Sequence, residues 1–155
     1  MQFKKEGLVA VPKASEINLL SISLEIDGRR SLFILLAKDG SINRLGTGTI
    51  DNKDYDLYIG ITKDLLFEHA ITYITDDMLQ YMGSYDIPNK KGLPCRLSIG
   101  LQFNNGEENG FEFNYASESE GPPDEISELL IAAVQITEPW YESQKKISSK
   151  NNKSM

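Results

Sequence analysis

The hydrophobic period of the chain changes along its length, and those changes mark out its elements. Leu20, Ile22, Leu24 and Ile26 alternate with Ser21, Ser23 and Glu25, the period of a half-buried strand. Asp27-Gly28 is a turn signal, and Leu32 to Ala37 is a continuous apolar run of central-strand length. Asp39-Gly40 marks a hairpin. Ile42 to Ile50 predicts a third strand, broken or bulged at Gly46 and Gly48, and Tyr55 to Ile61 a fourth. The first residues have no clean period and read as an irregular arm or as one strand around Leu8 to Val11.

The period then becomes helical. Phe67, Ile71, Ile74, Met78 and Met82 recur every three or four residues. Thr62 suits the N-cap, Asp64 the first turn and Gly83 the stop. Residues 83–94 read as a loop. Leu97, Ile99, Leu101 and Phe103 alternate again, as do Phe111, Phe113 and Tyr115 after a polar turn, which predicts a hairpin. Gly121-Pro122-Pro123 ends it. Asp124 and Glu125 suit a helix N-terminus, and Ile126, Leu129, Leu130, Ala133 and Val134 form a second helical stripe. Pro139 predicts an end or a kink, because it has no N–H to give the ladder.

These elements predict an α+β fold, with an antiparallel sheet of about five to six strands and two main helices on one face. The order suggests two β-β-α units, joined in one sheet or in two small sheets meeting through the helices. Residues 1–144 form the expected single domain. Residues 145–155, rich in Ser, Lys and Asn, are the expected disordered tail.

Composition narrows the function classes. With 155 residues, 40% of them hydrophobic and 25% charged, the chain can bury a core without metals or disulfides. Cys95 is the only cysteine, which suits a reducing compartment. The longest strongly apolar run, Leu32 to Ala37, cannot span a bilayer, so the expectation is a cytoplasmic protein with no membrane partner. The net charge of −7 disfavours nucleic acid, whose binders need lysine and arginine to displace counterions.

Candidate chemistry is sparse, and the expectation is that the protein is not an enzyme and carries no cofactor. His69, the only histidine, and Cys95 form a conceivable nucleophile–base pair, but they read better as a boundary histidine and a core thiol. Asp51, Asp54 and Asp56 make an oxygen-rich cluster of a kind that holds calcium, but Lys53 sits inside it and the EF-hand order is missing. Gly46-Thr47-Gly48 lacks the lysine of a phosphate loop and precedes an extended segment. A turn is the better reading. Trp140 is assigned to the core, whereas Tyr73, Tyr81 and Tyr85 stay open between core and binding surface.

The informative feature is uneven charge. Between Arg96 and Lys145 there are ten acids and no lysine or arginine. Seven of them, Glu107, Glu108, Glu118, Glu120, Asp124, Glu125 and Glu128, are the candidate partner-binding residues, since a single-sign field steers a basic partner. The expected function is a small acidic protein-interaction domain, most concretely a bacterial toxin-immunity-type protein that occludes a basic partner protein. The alternative is a domain that binds a small molecule or metal. A homodimer through a sheet edge is a further expectation.

Overall fold

A computed structural model of the protein describes residues 11–153 except Asn89. A 3-10 turn at Ala14–Glu16 leads into β1 (Ile17–Ile26), β2 (Arg29–Ala37), β3 (Ser41–Gly46) and β4 (Tyr58–Ile61). Two short helices follow, α1 (Leu66–Ile71) and α2 (Asp76–Leu79). Then come β5 (Gly83–Asp86), β6 (Pro94–Phe103), β7 (Glu108–Ala116) and the long α3 (Asp124–Lys153). The strands make one seven-stranded sheet in the order β4-β3-β2-β1-β6-β7-β5. Every neighbouring pair is antiparallel except β5 with β7. The α+β reading holds, with more strands than expected, and the two halves share one sheet through β1 and β6.

Alternation decides which face is buried. Leu20, Ile22 and Leu24 align with Leu36, Ile34 and Leu32 on one side and with Leu101, Ile99 and Leu97 on the other. These side chains form a single core with Phe67, Ala70, Leu79, Ile126, Leu129 and Ala133 of the helices. The residues between them, among them Ser21, Ser23, Leu35, Asn43 and Ile59, lie on the opposite face. Helix α3 crosses the strands rather than following them. Ile126 near its start shares the core with Phe111 and Phe113 of β7, and Trp140 meets Gly60 of β4. The rise from Ile126 to Trp140 is about 21 Å at about 1.5 Å per residue. The spacings from β7 to β4 span about 24 Å at about 4.8 Å each, so the helix covers nearly the whole sheet.

Several expected boundaries are corrected. The single helix expected from Phe67 to Met82 is two, because Thr72, Tyr73 and Thr75 are poor helix formers. Thr75 caps the second helix by accepting from the Met78 N–H at 3.2 Å. Thr62 caps no helix; its hydroxyl accepts from the Asp64 N–H in the turn before α1. The loop expected at 83–94 begins with β5, which pairs parallel to β7. The helix does not end at Pro139; it continues to Lys153 and takes in residues 145–153, the start of the expected tail. Pro139 is tolerated because the carbonyl it deprives belongs to exposed Gln135, while the Ala133 and Val134 carbonyls accept from Thr137 and Arg44. The strand expected around Leu8 to Val11 lies outside the described residues except for Val11, which is in no strand.

Candidate functional site

The ten acids between Arg96 and Lys145 divide into two groups. Glu112, Glu138 and Glu142 form ion pairs with Arg96, Arg44 and Lys145. The remaining seven, the candidate partner-binding residues, form no ion pair among the described residues and are exposed. They do not form one face. Glu107 and Glu108 stand at the hairpin turn where β7 begins, and Glu118 and Glu120 follow its far end at Ala116. The length of β7 between them is about 26 Å at roughly 3.3 Å per residue. Asp124, Glu125 and Glu128 follow on the first turns of α3. The acidic surface is thus split, with five residues at one end of the sheet and two at the other.

The larger acidic end adjoins an aromatic cleft of about 380 Å³ on the helix-bearing face beside β5. Phe111, Phe113 and Ile126 line it from the core, and Tyr81, Tyr85, Met78 and Ile87 line it from the edge. The β5–β7 register sets Tyr85 opposite Phe113, and their rings stack with centroids 5.2 Å apart. The Tyr85 hydroxyl donates to the Tyr81 carbonyl, which ties two walls together. Asp77 from α2 and Glu125 from α3 are the charged residues of the lining. Glu128 lies three residues after Glu125 on the same helix face. The site therefore pairs an apolar, aromatic interior with an anionic edge.

Of the open tyrosines, the structure brings Tyr81 and Tyr85 to this cleft and leaves Tyr73 beside His69, with ring centroids 6.3 Å apart. Sequence reasoning missed Met78, Phe111 and Phe113 as site residues, since stripe and alternation assign them to core, and Ile87, which falls in the expected loop at residues 83–94. The available signal was the four-residue spacing of Tyr81 and Tyr85 just after the Met78 stripe.

A second polar assembly sits across the sheet under the far half of α3. Arg44 lies on the buried side of β3, 1% exposed. All five of its N–H groups are engaged. Nε and Nη2 donate to the Gly46 carbonyl, Nη1 to the Thr137 hydroxyl at 2.9 Å and the Val134 carbonyl, and Nη2 pairs with Glu138 at 3.1 Å. Its guanidinium rests 4.3 Å from the Tyr141 ring centroid. Burial lowers the Arg44 pKa against the pull of Glu138. The Tyr141 hydroxyl accepts from the Gly46 N–H and donates to Asp54, which also binds Lys145. For Lys145, burial opposes the charge, but bonds to Glu142 and Asp54 outweigh it and hold the pKa above its ordinary value. Gly46 is fixed by this contact. Its φ is +79°, and a Cβ there would lie 2.0 Å from the Ser31 carbonyl oxygen. The Gly46-Thr47-Gly48 string is therefore a strand-ending turn, held by Asn52, whose side chain accepts from the Thr47 N–H.

The other candidates are dispersed. Asp51 accepts from the Thr49 hydroxyl, whereas Asp54 faces Tyr141 and Lys145. No cluster of three metal-ligating side chains occurs among the described residues. His69 is exposed on α1, which packs at the end of the sheet near Ala37 and Ser41. Cys95 is the second residue of β6, at the other end of the sheet, where burial pushes its thiol pKa up. The two therefore form no catalytic pair. Among the described residues no helix is long and apolar enough to cross a membrane. No protein-family model matches the chain, and no curated protein matches it.

Proposed function

We propose that this protein is an interaction domain that captures a basic segment of a partner protein at the acid-edged aromatic cleft, most concretely as a bacterial toxin-immunity-type protein acting by occlusion. The observation behind this reading is the placement of Asp77 and Glu125 on a cleft walled by Tyr81, Tyr85, Phe111 and Phe113. Apolar anchors seated in pockets carry most interface energy. Exposed acids around them select cationic neighbours and speed the encounter. Glu118, Glu120, Asp124 and Glu128 extend the acidic surface on the α3 side, and Glu107 and Glu108 are not part of the cleft lining.

The test is fluorescence anisotropy with labelled peptides that carry one leucine or phenylalanine between lysines. Binding should weaken at least about tenfold between low and high salt, as exposed charge pairs are screened. Asp77→Asn with Glu125→Gln should weaken it similarly, and Glu107→Gln with Glu108→Gln should not. Equal binding of glutamate-flanked peptides would refute the reading. The cleft volume also favours a second reading, a small-molecule-binding domain, since ligand pockets of this size begin at about 300 Å³. A neutral aromatic ligand that raises the melting temperature of the protein, with no peptide bound, would select that one.

A further inference from the structure

We propose that the outer edge of β4 pairs with β4 of a second copy of this chain, extending the sheet across a two-fold axis near Ile59. This goes beyond the cleft reading and concerns the opposite edge of the sheet. β4 is the terminal strand. The Thr62 N–H donates inward to the Gly40 carbonyl at 2.9 Å, so by strand alternation Gly60 and Tyr58 also face β3. Ile59 and Ile61 therefore turn their N–H and C=O groups outward, where no described strand meets them. Their side chains stand on the face away from the helices, 70% and 77% exposed. Leu57, just before the strand, is exposed as well.

Edges left free are ordinarily guarded by charge, proline or a bulge. β5, the opposite edge, follows that rule: its away-facing positions are Ser84 and Asp86. β4 has isoleucine in both equivalent places. Antiparallel pairing about Ile59 is self-complementary. Ile59 meets Ile59 of the copy, and Leu57 meets Ile61 in both directions. The outward groups of residues 57, 59 and 61 then face one another as hydrogen-bonded pairs. Shifting the register by two residues either way sets Ile61 opposite Tyr55 or Leu57 opposite Lys63, both further from the strand. Gly60 supports the geometry from behind, because the Trp140 ring packs where its Cβ would be and keeps the helix layer flush with the strand. The three apolar side chains and the strand backbone amount to roughly 400 Å² per copy, at about 100 Å² per large aliphatic residue. The total of roughly 800 Å² is below the ~1,000 Å² of a stable interface, so the dimer is weak and concentration-dependent.

The test is sedimentation of the full chain from about 5 to about 500 µM, a range that brackets weak association. The wild type should shift from monomer toward dimer, and Ile59→Lys and Ile61→Lys should each weaken that association at least about tenfold. In a Cys95→Ser background, Ile59→Cys should form a disulfide-linked dimer under mild oxidation. Its two-fold partner would lie about 5.5 Å away between Cα atoms, within disulfide reach. Ser84→Cys on the other edge should not. A wild type that stays monomeric throughout, lysine variants that associate as the wild type does, or Ile59→Cys that crosslinks no more than Ser84→Cys would each overturn the proposal.

Discussion

Arg44 is the residue whose loss should cost most for its position in the sequence. It is a lone arginine on the buried side of a strand, held between core residues Ile34 and Ile42. Arg44→Ala removes every bond of its guanidinium at once. The Gly46 carbonyl loses two donors in a buried setting, at about 1–3 kcal/mol for an orphaned acceptor. The contact with the Tyr141 ring contributes about 1–2 kcal/mol when desolvated, and truncation also leaves a cavity. Glu138 is 43% exposed and returns to water at little cost, so the upper range for breaking a buried pair does not apply in full. The sum is about 3–5 kcal/mol, a fall of roughly 6–20 °C in melting temperature for a chain of this size. Arg44→Met, which keeps the volume, should cost about half as much. The assay is urea unfolding followed by circular dichroism and by the fluorescence of Trp140, which packs one turn away on α3. Glu138→Ala alone should cost about 1–2 kcal/mol, since the buried guanidinium loses its carboxylate but keeps its neutral acceptors, and a double-mutant cycle should show a coupling of similar size. A loss for Glu138→Ala equal to that for Arg44→Ala would refute this account, because the ion pair and not the backbone bonds would then dominate.

Burial, with Asp54 adding to it, pushes Tyr141 up to about 12, and burial does the same for Tyr115. A folded-state value above the ordinary one of about 10 means stability intact below pH 10 and lost as pH climbs from about 10 to 12. Thermal melts over that range should show the decline, and Tyr141→Phe should make it shallower. A Tyr141→Phe profile parallel to the wild type would count against the assignment. Gly60→Ala places a methyl 2.8 Å from Trp140 Cζ2 and should cost about 1–3 kcal/mol by overpacking, with a red shift of tryptophan emission. Unchanged emission and stability would show that the ring moves aside freely. Gly46→Ala, with its Cβ against the Ser31 carbonyl and a left-handed φ, should prevent accumulation of folded protein; a well-folded variant would contradict the turn geometry.

Much of the fold was readable from period alone. Leu20, Ile22 and Leu24, then Leu97 to Phe103, alternate cleanly and form the centre of the sheet, because a strand with one covered face must sort its side chains by parity. The sequence failed where local pattern and tertiary contact disagree. β5 carries Gly-Ser-Tyr-Asp, which has no strand signature, and it exists because β7 offers an edge. Helix α3 continues through Pro139 because the carbonyl left without a donor, that of Gln135, is open to water, while Arg44, ninety positions earlier, binds the neighbouring Val134 carbonyl. Arg44 itself interrupts an apolar alternation, and no local rule says that Gly46, Thr137 and Tyr141 will gather round it. The acidic run was visible as composition, but its division between two ends of β7 follows from strand direction. The cleft was hidden for a related reason. Phe111 and Phe113 look like core in sequence, and they are core on one side; only the short α2 and the position of β5 leave their other side open.

The central claim is that the aromatic cleft with Asp77 and Glu125 is where a basic partner segment docks. Amide chemical-shift mapping during titration with a leucine peptide flanked by lysines tests it most directly. The account predicts shifts concentrated at residues 75–87, 111–113 and 124–128, absent after Asp77→Asn with Glu125→Gln. Shifts centred on Glu107 and Glu108, or undiminished in that double variant, would contradict it.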